Sequence, residues 1–295
     1  MALGAVPVRH PWLAGARPRT LPASVVPVLV GTGAAGAYGS AVWWKALLAG
    51  VVAVSMQVGV NYSNDYSDGV RGSDSAGTRV GPLRLVGSGI ATPSAVKRAA
   101  LASFFVAGLA GLVLAAVAGW WLVAVGAVCV LAAWTYTGGP RPYGYLGLGE
   151  LSVFAFFGLV ATTGTAYVQT GRLTALEVLA AVPVGLLAVA LLVVNNLRDI
   201  PGDTAVGKRT LAVRTGPVVT RAFYCVCVLG GIALVAPIAV MRPGALIGLA
   251  GLAAAVLPVR QVLRGATGRE LVPVLVATAR LQLVFGALLA VGLAV

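Results

Sequence analysis

Only eight of the 295 residues are acidic, and three of them, Asp65, Asp68 and Asp74, fall within the fourteen positions NYSNDYSDGVRGSD (61–74). Two more, Asp199 and Asp203, stand in NNLRDIPGDTAVGKRTLAVR (195–214). Residues three and four apart share a helix face, so Gln57, Asn61, Asn64, Asp65 and Asp68 form one polar stripe. Asn195, Asp199 and Asp203 recur at intervals of four, echoing Asn64 and Asp68. Carboxylate and amide oxygens are hard ligands suited to Mg2+, which binds one or two carboxylates together with substrate phosphate. Two such clusters facing each other could each hold a Mg2+ with a diphosphate between them. Arg79, Arg84, Lys208 and Arg209 flank the clusters and supply donors for the phosphate oxygens, or serve as headgroup anchors. The simpler reading, that the acids merely pair with loop arginines, leaves the repeated Asn-x-x-x-Asp spacing unexplained. With one histidine, His10, and all three cysteines in apolar runs, there is no zinc-type ligand set.

The elements that must position these groups are membrane helices. The chain is 59% hydrophobic and 10% charged, with a mean hydropathy of +0.95, whereas soluble domains carry about 25% charged residues. Its apolar runs are continuous rather than alternating, which excludes a membrane β-barrel. They predict an all-α polytopic membrane protein, a single domain over 1–295, with spans at roughly 20–41, 44–66, 98–118, 120–137, 150–168, 176–197, 218–238, 244–263 and 272–294. With the 1–19 segment cytoplasmic, seventeen basic residues fall in inside segments and three (Lys45, Arg172 and Arg242) outside. That bias predicts a cytoplasmic N-terminus and an outside C-terminus. It also accounts for most of the net charge of +13, as topology signal and contact with anionic lipid rather than nucleic-acid binding. The first twenty residues lack the short apolar core of a cleavable signal peptide, so the first span serves as the insertion signal. Eighteen Arg against three Lys suggests a GC-rich bacterial genome, and hence a bacterial cell membrane.

The segments 67–97, 135–150 and 198–217 all fall on the cytoplasmic side, so the site is expected to open there. Gly69 and Gly72 should end the second helix, and Pro201 should end the sixth near Asp199. GTGAAG (31–36) imitates a dinucleotide fingerprint but lacks the strand before it and the acid after it, and reads as close helix packing. Arg280, well inside the last span, is expected to face the bundle interior beside Thr278 and Gln282.

NDYSD…GSD followed by RVGPLR, together with NNLRDIPGDTAVGKRTLAVR, resembles the paired aspartate motifs of the UbiA-type intramembrane prenyltransferases. RPRTLPASVVPVLVGTG, NDYSDGVRGSD and TYTGGPRPYGYLGLGE are similar to the branch that prenylates 1,4-dihydroxy-2-naphthoate in menaquinone synthesis, and the resemblance runs from about residue 15 to the C-terminus. It implies nine helices around a central cavity, capped on the cytoplasmic side and open laterally to lipid. It also implies Mg2+-dependent transfer from a polyprenyl diphosphate to the naphthoate ring, with release of diphosphate and CO2, giving demethylmenaquinone. On this resemblance Asp65, Asp68, Asp199 and Asp203 are the metal-holding catalytic residues, and Asn64 and Asn195 belong to the substrate site. Gln57, Asn61, Tyr136, Tyr143 and Tyr145 are acceptor-pocket residues, the tyrosines being equally suited to anchoring at the interface. Asp74 departs from the family pattern, lying six residues after Asp68 rather than four. Other acceptors, such as a hydroxybenzoate or a haem, fit the same motifs. A divalent-cation transporter would need polar groups running on to the outer leaflet, and the second and sixth spans are apolar beyond Asn61 and Asn195.

Overall fold

Thr174 opens the helix around which the others gather. Its hydroxyl accepts the N–H of Leu176, and the Glu177 carboxylate takes the N–H of Thr174 at 2.8 Å, a capping box that satisfies two orphan donors. In the computed structural model, which describes residues 10–73 and 84–295, that helix runs over Ala175–Ala205. Asp74 and Arg79 lie outside the described residues.

In chain order the main helices are α1 (Pro22–Gly36), α2 (Trp43–Val70), α3 (Pro93–Ala118), α4 (Trp121–Thr135), α5 (Gly149–Thr170), α6 (Ala175–Ala205), α7 (Leu211–Met241), α8 (Pro243–Leu263) and α9 (Leu271–Ala294). Among the described residues seven are long and apolar enough to cross a membrane, while α1 and α4 are apolar but shorter. In α6, 72% of the apolar window is buried, against 28–44% in the other six. It is therefore the central helix, packed on α7, α5, α9 and α1. A short helix, Pro11–Ala16, lies against α2, where Tyr62 donates to the Trp12 carbonyl at 2.9 Å.

Glycine lets these helices approach to backbone contact, as the small-residue content predicts. A Cβ on Gly33 would meet the Ala290 carbonyl oxygen at 2.3 Å, and one on Gly31 would meet that of Thr162 at 2.4 Å. GTGAAG is thus a packing face, joining α1 to both α9 and α5. In α5, residues Phe154–Val160 form a π-helical stretch, and Gly158 there lies against Gly185 of α6.

Two expectations are corrected. Helix α6 does not stop at Asp199 but continues through Pro201 to Ala205. Pro201 removes one ladder bond close to the helix end, and Thr204 donates to the Ile200 carbonyl at 2.8 Å just beyond it. Arg280 does not face the interior: its side chain is exposed on the outer surface of α9, while Thr278 and Gln282 on the same helix are fully buried. A long basic side chain on a bundle exterior can run along the helix to a headgroup, which removes the need for a buried partner.

Replacing Gly33 by valine should destabilise the bundle by about 1–3 kcal/mol or more, because the Ala290 backbone cannot retreat. Gly50→Ala, with nothing within 4 Å of the new methyl, should be neutral or mildly stabilising. Thermal unfolding of the purified variants in one detergent separates the two outcomes.

Candidate functional site

Helix α2 ends at Val70, with Gly72 at a φ of 72°, and its last turns, from Gln57 on, carry the polar stripe. The stripe divides into three functions. Near its start, Gln57 and Asn61 turn to the N-terminal segment. Asn61 donates to the Ala16 carbonyl at 2.8 Å, and both side chains donate to the Thr20 hydroxyl at 3.2 Å. In the middle, Asp65 is fully buried and its two oxygens accept the backbone N–H groups of Leu85 (2.8 Å) and Val86 (3.0 Å). Its carboxylate is committed to anchoring the chain where it returns from the 74–83 segment. Asn64 accepts the Thr137 hydroxyl at 2.7 Å, tying α2 to the segment after α4.

Asp68, one turn further on and 2% exposed, is where distant segments converge. One oxygen pairs with Arg84 at 3.1 Å, and the other with Lys208 at 3.1 Å and the Tyr145 hydroxyl. The Lys208 ammonium also lies 4.6 Å from the centre of the Tyr145 ring, and the Arg71 guanidinium 5.5 Å from it, both favourable cation–π distances. Arg71 donates to the carbonyls of Thr137 and Gly139, which holds the 137–145 segment over the end of α2. The Arg209 N–H closes the arrangement on the Tyr145 carbonyl at 3.0 Å, while the Arg209 side chain is exposed.

Burial lowers the pKa of Lys208, but Asp68, Tyr145 and Asp203 outweigh it and raise the group above the ordinary 10.5. The stabilisation it adds is complete below that value and is lost only as pH rises through the higher folded pKa. Lys208 is cationic at every physiological pH. Burial, then the Asp68 charge, likewise pushes the Tyr145 phenol up, so it remains a donor.

On α6, Asn195, Asp199 and Asp203 share a face because the helix continues through Pro201. Asp199 accepts a two-pronged ion pair from its neighbour Arg198, at 2.8 and 2.7 Å, and Arg198 also donates to Asn195 at 2.8 Å. Asp203 lies close enough to Lys208 to raise its pKa. The structure thus gathers Asp68, Arg84, Lys208 and Tyr145, with Asp203 beside them. Tyr143 turns away, bonding the Ala132 carbonyl and Ser152 at 2.9 Å each and stacking edge-on with Tyr136. Arg198 and Arg71 were not singled out by sequence, since a basic residue at a helix end has a ready explanation as a lipid anchor.

Among the described residues no three acidic, histidine or cysteine side chains are grouped to hold a metal. The donor chemistry nevertheless suits a hard cation, with carboxylates and amide oxygens on two facing helices and no imidazole or thiolate among them. Mg2+ needs only one or two carboxylates when a phosphate supplies further oxygens.

The profile of the UbiA prenyltransferase family matches residues 24–293. A 1,4-dihydroxy-2-naphthoate octaprenyltransferase of Mycobacterium tuberculosis is 50% identical over 285 residues, 96% of each chain. The protein of the same name in Escherichia coli is 40% identical over 238 residues, 76% of this chain and 75% of its own. Among solved structures, a UbiA homolog from Archaeoglobus fulgidus aligns with a TM-score of 0.66 at 13% identity, over 97% of this chain and 100% of that one. The structure of a UbiA homolog from that organism bound to GPP and Mg2+ aligns with a TM-score of 0.62, also at 13% identity, over 95% and 99%. At that identity the likeness speaks for the fold alone.

Asp65→Ala should free the Leu85–Val86 backbone, and hydrogen–deuterium exchange of a peptide covering 84–91 should speed up by about tenfold or more as two charge-assisted hydrogen bonds are lost. Asp65→Asn keeps one acceptor oxygen and should fall between.

Proposed function

The chain belongs to the UbiA prenyltransferase family, and on that premise we propose that it transfers a polyprenyl group from its diphosphate to 1,4-dihydroxy-2-naphthoate. Diphosphate and CO2 leave and the hydroquinone demethylmenaquinol is formed, a step of menaquinone synthesis. The observation that carries this reading is the meeting at one carboxylate of three of the four sequence motifs: Asp68 from the first aspartate motif, Tyr145 from the tyrosine-rich loop and Lys208 from the second aspartate motif. The names of relatives up to 50% identical over nearly the whole chain support the naphthoate acceptor over a hydroxybenzoate or a haem.

Asp68, Asp199 and Asp203 would hold Mg2+, with Asn64 and Asn195 as neighbouring amide oxygens, and the metal would neutralise negative charge on the departing diphosphate. Asp65, whose oxygens are spent on backbone, positions the loop that delivers Arg84. Arg84 and Lys208 are donors that reorient from Asp68 to phosphate oxygens, and Arg209 and Arg79 add positive potential at the rim. Tyr136, braced edge-on by Tyr143, forms the aromatic wall on the acceptor side, and the Gln57–Asn61 contacts close the N-terminal segment over α2. The apolar bundle beneath takes the hydrocarbon chain and keeps water from the allylic cation until the ring carbon attacks.

The short helices α1 and α4 complete nine spans in this reading. Each has 15 residues, about 22 Å at about 1.5 Å per residue, and the shortfall against a core of about 30 Å is met by local thinning of the bilayer. The positive-inside bias places the N-terminus and the site on the cytoplasmic face of a bacterial cell membrane, with the C-terminus outside.

Asp68→Ala and Asp199→Ala should each lower transfer at least about a thousandfold while the protein still inserts and folds, read with a labelled prenyl diphosphate and dihydroxynaphthoate. Turnover near the wild-type rate in either variant overturns the assignment. Excess chelator should abolish activity, Mg2+ should restore it, and Zn2+ should not, given an oxygen-only ligand set.

A further inference from the structure

Three of the eight acids are glutamates, and two of them have a plain structural duty. Glu177 and Glu270 each complete a capping box with a threonine three residues before. Glu150 completes none. It sits in the first turn of α5, is 7% exposed, and accepts a hydrogen bond from Asn196 of α6 at 2.9 Å through Oε1. Its other oxygen, Oε2, is buried and has no partner among the described residues. Buried carboxylate oxygens are rarely left so.

Glu150 also lines a cavity of about 260 Å³, walled by Val193 of α6 and by Leu211, Ala212, Val219 and Phe223 of α7. The cavity lies where α7 breaks. Gly216 has φ 76° and ψ 172°, a conformation that favours glycine, and Pro217 restarts the helix after it. Two threonines flank the break with their hydroxyls 3.3 Å apart, and each also bonds backbone: Thr215 to the Leu211 carbonyl at 2.9 Å and Thr220 to that of Gly216 at 2.7 Å. Neither reaches Glu150 Oε2. Thr215 and Val219 are exposed and form the mouth on the outer face of the bundle.

We propose that this cavity binds the ring of a phenol or hydroquinone, whose hydroxyl donates to Glu150 Oε2. A ring covers the apolar walls and gives one hydroxyl proton to the unpaired acceptor, its other hydroxyl lying toward the threonine oxygens at the mouth. A water bridging Oε2 and the threonine oxygens would leave the apolar walls uncovered. The volume falls below the roughly 300 Å³ at which pockets begin to hold drug-sized ligands, so it takes a small ring and leaves any long chain outside in lipid. A quinone carries acceptors only and has nothing to give Oε2, so the site distinguishes the reduced ring from the oxidised one. The proposal rests on the reading that the chain prenylates a dihydroxynaphthoate, since both that acceptor and the prenylated hydroquinone product carry ring hydroxyls. Asn196 of α6 orients Glu150 by donating to its Oε1.

The test titrates the purified full chain in detergent with 1,4-naphthohydroquinone under anaerobic reducing conditions, and separately with 1,4-naphthoquinone, by calorimetry. The hydroquinone should bind at least about tenfold more tightly than the quinone, the scale of one charge-assisted hydrogen bond. Glu150→Gln should erase most of that difference. Val219→Trp, which blocks the mouth without touching Glu150, should weaken both ligands. Equal affinity for the two redox forms, or binding unchanged in both variants, overturns the proposal. Kinetics then tell the sources apart. A raised KM for dihydroxynaphthoate with an unchanged KM for the prenyl diphosphate in Glu150→Gln assigns the site to the acceptor. An unchanged acceptor KM with lost inhibition by the prenylated hydroquinone assigns it to the product. A wild-type chain that binds the hydroquinone but prenylates no dihydroxynaphthoate would overturn the proposed function and leave the site standing.

Discussion

A carboxylate 2% exposed at the end of a membrane helix must bring its counter-charges with it, and one end of this bundle is organised around that demand at Asp68. Arg84 and Lys208 pair with it and the Tyr145 hydroxyl donates to it, so that three segments far apart in sequence are held to one point. The same donors are what a diphosphate requires. In the proposed function the contacts of Asp68 would hold phosphate-binding groups in readiness, at the expense of a desolvated ion cluster that does little for stability by itself.

The polar stripe of α2 was legible because helical periodicity is a local property, and so was the echo of its spacing in α6. The separate duties within the stripe were not. Asp65 and Asp68 look alike in sequence, yet Asp65 grips backbone N–H groups twenty residues away. Backbone donors exist at nearly every position and leave no trace in residue type. Gln57 and Asn61 were read as acceptor contacts, while in the structure they fasten the N-terminal segment. Pro201 shows a local rule losing to its surroundings, since the penalty of one missing ladder bond is small near the end of a long packed helix. Arg280 shows the reverse error. The cost of a charge at membrane depth pointed inward, but the length of the side chain gives it another way out.

Glu150 could have been found by subtraction. Once two of the three glutamates are recognised from their Thr-x-x-Glu spacing as helix caps, the remaining one stands at the head of an apolar helix without a capping threonine. What sequence could not supply was the cavity, because it depends on where α7 breaks relative to α6. The interlocked glycines of α1, α5 and α9 are legible as composition, while the choice of which backbones touch belongs to the assembled bundle.

The break at Gly216 divides α7 into a short lever and a long post. The post, from Pro217 onward, is wedged among its neighbours in the apolar core, whereas the lever, residues 211–215, is continuous with the turn that carries Lys208. Rotation about one glycine moves five residues and their attached turn, and leaves the rest of the helix where it was. Were Lys208 to turn from Asp68 to an incoming phosphate, as proposed, the break would offer its turn a pivot whose stroke costs torsion at a single residue rather than shear across a membrane bundle.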